Sequence, residues 1–121
     1  MPTIPPHDPS KLLPLRPVEF HILLSLSAGE RHGYGIIQDA QARTGGDVVP
    51  DVGTLYRALR RMKAAGLIED GRRRPAPESE DERRNYYRIT AFGREVARAE
   101  SQRLAALLDA ARAEGLLAEG A

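Results

Sequence analysis

GTLYRALRRMKAAGLIE, from Gly53 to Glu69, is the stretch whose reading decides the fold. At about 100° per residue, Leu55, Ala58, Leu59, Met62 and Ala65 gather on one side of a helix. Tyr56, Arg57, Arg60, Lys63 and Ala64 gather on the other, with Arg61 at the margin. Between Thr54 and Ala65 stand four basic residues and no acid. Solvated helices ordinarily mix the two signs, because opposite charges one turn apart stabilise them. An unneutralised basic face with one tyrosine suits a helix lying in the major groove of duplex DNA. There an arginine grips a guanine edge through two hydrogen bonds, and the other cations sit on phosphates. Thr54 at the helix start adds a hydroxyl or amide for phosphate, helped by the helix dipole. The plainer alternative is an exposed amphipathic helix that happens to be basic.

Working outward, a first helix is expected from about Pro17 to Ala28, with Phe20, Leu23, Leu24 and Ser27 on one stripe and Ile22 and Leu26 widening it. Pro17 is pre-set for a first turn and Gly29 is a natural stop. So wide an apolar surface belongs in the middle of a small core, where His21 reads as a packed or half-exposed histidine. Glu30 to Gly33 reads as a turn, and a second helix runs from about Tyr34 to Thr44, ended by Gly45 and Gly46. Val48 and Val49 suit a short extended piece. After the basic helix, stopped at Gly66, Leu67 to Glu69 and Asn85 to Thr90 read as strands. The charged loop between them makes a β-hairpin wing over about Leu67 to Thr90. A last helix, Ala91 to Ala113, is rich in strong helix formers and is capped by Thr90. The fold class expected is mainly α with a small β-hairpin: a winged helix-turn-helix followed by a long C-terminal helix. Residues 1–15 hold five prolines and read as a flexible arm that either touches a partner or does not. Residues 16–90 form the winged domain, and residues 91–121 the terminal helix and tail.

Composition narrows the function. The chain has 121 residues and a net charge of +1, but the charge is unevenly spread. Met1 to Val52 carries −2, Gly53 to Thr90 carries +4 and Ala91 to the end carries −1, so a cationic patch sits in the middle third. Cysteine is absent and there are three histidines, which removes disulfides, thiolate metal sites and cysteine nucleophiles, and argues against a metal sensor. No nucleophile–base pair or phosphate-binding glycine loop points to an enzyme, and no cofactor is expected. No apolar run approaches the roughly 20 residues of a membrane span. Without a basic, apolar leader either, the expected location is the cytoplasm. In the wing, Arg72, Arg73 and Arg74 open the loop and Arg83 and Arg84 close it, around an acidic tip from Glu78 to Glu82. Arginines at both stems can straddle a backbone or enter the minor groove. The tip pairs with them, holds the loop extended, or is simply a solvated charge run.

The terminal helix carries two apolar stripes: Phe92, Val96, Ala99, Leu107 and Ala110, and then Ala97, Leu104, Leu108 and Ala111. A helix packing only on its own domain needs one. Two stripes point to one face on the winged domain and another on a second copy, with Val96, Leu104, Leu107, Leu108 and Ala111 as the candidate dimer residues. A helix half-buried in the monomer is the alternative.

With these elements in place, the sequence resembles the PadR family of transcriptional regulators. The matching stretches are FHILLSLSAGERHGYGI (Phe20 to Ile36), GTLYRALRRMKAAGLIE and RRNYYRITAFGREVARAE (Arg83 to Glu100), in the family's order and spacing. The resemblance implies a homodimer joined by the C-terminal helix that binds an inverted-repeat operator and usually represses nearby genes. By position, Tyr34 looks like the family tyrosine near the DNA backbone, and Thr54, Tyr56 and Arg57 match the start of its recognition helix. With a single terminal helix, the sequence looks like the short-tailed branch. Some short-tailed members hold flat apolar drugs between tryptophans. With no Trp here that sandwich is not carried over, though a small apolar or aromatic effector that releases DNA remains an expectation by analogy. The DNA-contact set is thus Tyr34, Thr54, Tyr56, Arg57, Arg60, Arg61, Lys63, Arg72, Arg73, Arg83 and Arg84. The rival reading keeps the winged helix but uses it to bind protein, since fold does not fix function.

Overall fold

The computed structural model describes residues 8–47, 50–72 and 85–118. A 3-10 turn, Pro9–Leu12, leads into α1 (Pro17–Ser27), β1 (Arg31–His32), α2 (Gly33–Arg43), α3 (Val52–Ala64), β2 (Ile68–Asp70), β3 (Tyr86–Ile89) and α4 (Ala91–Ala113). The order matches the expected one, with β1 added. Val48, Val49 and the wing loop of residues 73–84 lie outside the described residues.

Each helix begins where the sequence supplies a partner for its first unbonded amides. Glu19 Oε1 accepts the Arg16 N–H at 2.9 Å, and Pro17 stands in the first turn of α1. For α2 the cap is His32, whose Nδ1 accepts from the Gly35 N–H at 2.8 Å. Asp51 Oδ2 accepts from the Thr54 N–H at 3.1 Å, so α3 starts one or two residues before the sequence reading put it. Thr90 Oγ1 caps α4 through the Gly93 N–H at 2.9 Å, as expected. Gly66 ends α3 with φ +81°, a conformation that costs glycine no Cβ clash.

The sheet is antiparallel in the order β1-β3-β2. Ile68 faces Ile89 and Asp70 faces Tyr87 across the hairpin; on the other edge, Arg31 faces Tyr87 and His32 faces Tyr86. The segment Glu30 to Gly33, expected to be only a turn, therefore supplies a third strand. Two residues are too few to show alternation, so no sequence pattern announced it.

α1 sits at the centre, packed against α2, α3, α4 and β3. Its buried Ile22, Leu23 and Leu26 meet Ile36 and Ile37 of α2, Leu55, Leu59 and Met62 of α3, and Ile68 and Val96 beyond. Of the arm expected over residues 1–15, residues 1–7 lie outside the described residues, and residues 8–15 are packed against the domain. Leu13 and Leu15 pack on the core, and the 3-10 turn lies across α4.

That turn is tied down by a buried acid. Glu100 on α4 is 2% exposed, and its Oε2 accepts the Leu15 N–H at 2.9 Å. Arg103, one turn on, donates to both carboxylate oxygens. The Arg103 hydrogen bond holds the Glu100 carboxyl below the ordinary glutamate range, outweighing burial, which acts the other way; the Leu15 amide adds to the lowering. A depressed folded pKa stabilises fully above the unfolded glutamate value of about 4.3, and the contribution fades as pH falls through the lower folded value. Glu100→Gln is expected to cost about 1–3 kcal/mol near neutral pH. The variant should then lose less further stability than the parent on acidification below about pH 4. Denaturant titrations at both pH values check this; identical acid limbs would remove Glu100 from the role.

Candidate nucleic-acid interface

The two sides of α3 have separate tasks. Leu55, Ala58, Leu59 and Met62 are buried at 1% exposure or less, which fixes the helix's rotation on the domain. Thr54, Arg57, Arg60, Arg61 and Lys63 are exposed, as the periodicity requires. Ala65, placed with the core by that periodicity, is instead the exposed C-cap residue.

Tyr56 is a second correction. It is 6% exposed and belongs to the core, not to the outward face. Its ring ends against Gly33 at the start of α2, where a Cβ would collide with the Tyr56 hydroxyl and lie 2.8 Å from Cζ. The HGYG and GTLY stretches thus interlock, and the first glycine of HGYG serves close approach. A tyrosine standing alone in a basic face is the one local clue, since the glycine that receives its ring lies more than twenty residues earlier.

Tyr34, next to that contact, is 57% exposed at the start of α2. Arg72 is exposed, and its backbone N–H donates to Glu30 Oε1 at 2.9 Å. Arg73, Arg83 and Arg84 lie outside the described residues.

Electrostatically the outward face is less bare than α3 alone suggests. Arg61 Nε meets Glu19 Oε2 of α1 at 3.1 Å, and Lys63 Nζ meets Asp70 Oδ1 of β2 at 2.8 Å. Arg57 folds back over the first turn, its Nη2 donating to Thr54 Oγ1 at 3.3 Å while that hydroxyl donates to Asp51 Oδ2 at 3.4 Å. The acids come from outside α3, and Glu19 lies 42 residues from Arg61 in sequence, so the α3 stretch by itself does not show them. The Lys63–Asp70 pair, about half exposed on both sides, contributes little to stability and opens at small cost, while Arg61 faces a more buried carboxylate. The cations remain within reach of a polyanion.

α4 also divides. Val96, expected at a dimer seam, is fully buried within the monomer beside Gly93 and Glu100 and leaves the dimer set. Leu104 and Ala111 are half-buried, while Leu107 and Leu108 are 55% and 48% exposed. Among the described residues no group of His, Asp or Glu side chains is placed to hold a metal ion, and no helix is long and apolar enough to cross a membrane.

Three helices around α1, an outward-facing third helix and an antiparallel sheet whose β2–β3 hairpin follows it define a winged helix-turn-helix protein. The chain belongs to the transcriptional regulator PadR-like family, matching it over residues 22–99. It is similar to a transcriptional regulator from Clostridium thermocellum at 27% identity and TM-score 0.65, covering 78% of this chain and 86% of that one. A PadR family transcription regulator from Clostridium difficile is 25% identical, with TM-score 0.64 over 78% of this chain and 94% of that one. Bacillus subtilis PadR, solved in complex with operator DNA, shares the fold at 21% identity and TM-score 0.59, over 69% of this chain and 46% of that one. Comparison with curated proteins gave no match.

The burial of Tyr56 makes a prediction that separates core from contact. Tyr56→Ala should destabilise the fold by about 3–5 kcal/mol, as other large aromatic deletions in cores do. Thermal or denaturant unfolding measures it. A variant as stable as the parent that bound DNA more weakly would return Tyr56 to the interface.

Proposed function

We propose that this protein is a homodimeric repressor that binds duplex DNA at an inverted-repeat operator in the cytoplasm, with α3 in the major groove and the wing on the backbone or minor groove. The observation that carries the reading is the exposure of Thr54, Arg57, Arg60, Arg61 and Lys63 on a helix whose other side is locked into the core. Family membership supports it, as does a solved relative of the same fold that binds its operator. In this reading Arg57 reads a base edge near the start of α3, and Tyr34 and Arg72 approach phosphate. Repression follows from occupancy of the operator. An effector would act from the open groove of about 380 Å³ between α1 and α4, lined by Leu24, Ser27, Ala97, Arg98 and Ser101 among others. A molecule there would touch the winged domain and the dimerisation helix together.

Salt distinguishes this reading from a protein-binding winged helix. Phosphate contacts release condensed counterions, so duplex affinity should fall by roughly 10³–10⁵ between 50 and 200 mM salt if 6–10 phosphates are met. Fluorescence anisotropy on a labelled duplex gives the slope, and a flat response would favour a protein partner. Arg57→Ala should cost about 1–3 kcal/mol on the operator and relax preference at one base pair.

The dimer reading rests on the α4 residues beyond Arg103, where Leu107 and Leu108 are uncovered. Leu108→Glu places a charge in that seam and is expected to give monomers in analytical ultracentrifugation. An unchanged dimer would move the interface to another face of α4.

A further inference from the structure

Arg61 and Lys63 on α3 are held by carboxylates that other elements deliver to them. Glu19 is fixed in position. Its Oε1 accepts the Arg16 N–H at 2.9 Å, its Oε2 faces Arg61 Nε at 3.1 Å, and its side chain is only 13% exposed. Asp70 ends β2 at the foot of the wing and meets Lys63 Nζ at 2.8 Å with its side chain 53% exposed. A carboxylate and a phosphodiester present the same thing to an ammonium or guanidinium: an anionic oxygen at hydrogen-bond distance. They compete for it.

We propose that Glu19 and Asp70 act as internal phosphate mimics that occupy Arg61 and Lys63 and so restrain binding to non-operator duplex. The inference rests on the DNA-binding reading above. Binding without base contacts is almost wholly phosphate neutralisation, so each cation retained by a carboxylate is one phosphate fewer in the encounter complex. On an operator, base contacts from the first turn of α3 hold the helix in the groove, and the phosphates then displace the two acids. The devices differ in strength. Arg61 must leave a carboxylate that cannot follow it, whereas Asp70 sits on an exposed strand end and yields easily.

The test uses Glu19→Gln and Asp70→Asn in the full chain, titrated against a random-sequence duplex at several salt concentrations. Glutamine keeps an oxygen for the Arg16 amide, and melting curves verify the fold; Asp70→Asn, on an exposed site, carries the test if Glu19→Gln does not fold. Glu95→Gln on α4 makes the same change in net charge elsewhere and is the control. Each variant should tighten random-duplex binding about two- to five-fold, Glu19→Gln more than Asp70→Asn. Each should also steepen the plot of log affinity against log salt by about 0.9 per cation freed. Affinities and slopes equal to those of the parent, or gains no larger than that of Glu95→Gln, overturn the proposal. A parent protein that does not bind random duplex even at low salt overturns the DNA-binding reading itself, a different and distinguishable result.

Discussion

The ring of Tyr56 ends against the backbone of Gly33, and most of what this protein shows to a partner depends on that contact. The contact exists only because residue 33 carries no Cβ. It seats the start of α2 on the first turn of α3 while Leu55, Leu59 and Met62 grip α1 from the same helix. α3 then has no freedom to roll. A rotation of one residue step would drive the Tyr56 ring into α2 and carry Arg57 and Arg60 toward a dry core, where an uncompensated charge is very costly. The outward direction of the basic side chains is thus enforced by packing on the opposite side of the helix.

Held in that orientation, the cations are moderated by their surroundings. Asp51 caps α3 and, through the Thr54 hydroxyl, sits behind Arg57; Glu19 and Asp70 meet Arg61 and Lys63. Two of these acids also have work in the fold. Asp51 satisfies an orphan amide at the start of α3, and Glu19 does the same for α1. Capping requires acceptors at helix N-termini, and in this topology the caps of α1 and α3 end up beside the basic face. The same residues that start the helices set the local potential.

The helices were legible because their signals are local and redundant: Pro17 and Gly29 bracket α1, Thr90 caps α4, and a full apolar stripe runs through α3. The family was legible from three stretches in order. What escaped was whatever depends on partners distant in sequence. Arg31 and His32 become a strand only because Tyr86 and Tyr87 arrive alongside. Tyr56 falls among the polar positions of a helical projection, and only Gly33, more than twenty residues earlier, reveals the recess that buries it. The acid-free face of α3 is real along the helix and false in space, since Glu19 is 42 residues from Arg61 in sequence. Val96 reads as a dimer residue in the sequence because both apolar stripes of α4 look alike until the domain claims one.

That division of α4 has a mechanical consequence. Gly93, Val96 and Glu100 bind the first half of the helix to the winged domain, and the second half, from Leu104 to Ala113, runs on for about 15 Å at 1.5 Å per residue. In the proposed dimer the distance between the two α3 helices is set by the angle at which α4 leaves each domain, and half-sites one helical turn apart, about 34 Å, tolerate little error. The angle is held at the Glu100 carboxylate, which joins the backbone just before α1 to α4 itself, with Arg103 neutralising the buried charge. A buried acid is an expensive way to fasten two elements if stability is the only return, because an apolar pair of similar volume usually serves as well. A directional hydrogen bond to a single backbone amide does something an apolar contact cannot: it fixes register along the helix. Glu100 therefore sets where α4 sits on the winged domain, and through it, in the proposed dimer, the spacing of the two basic faces.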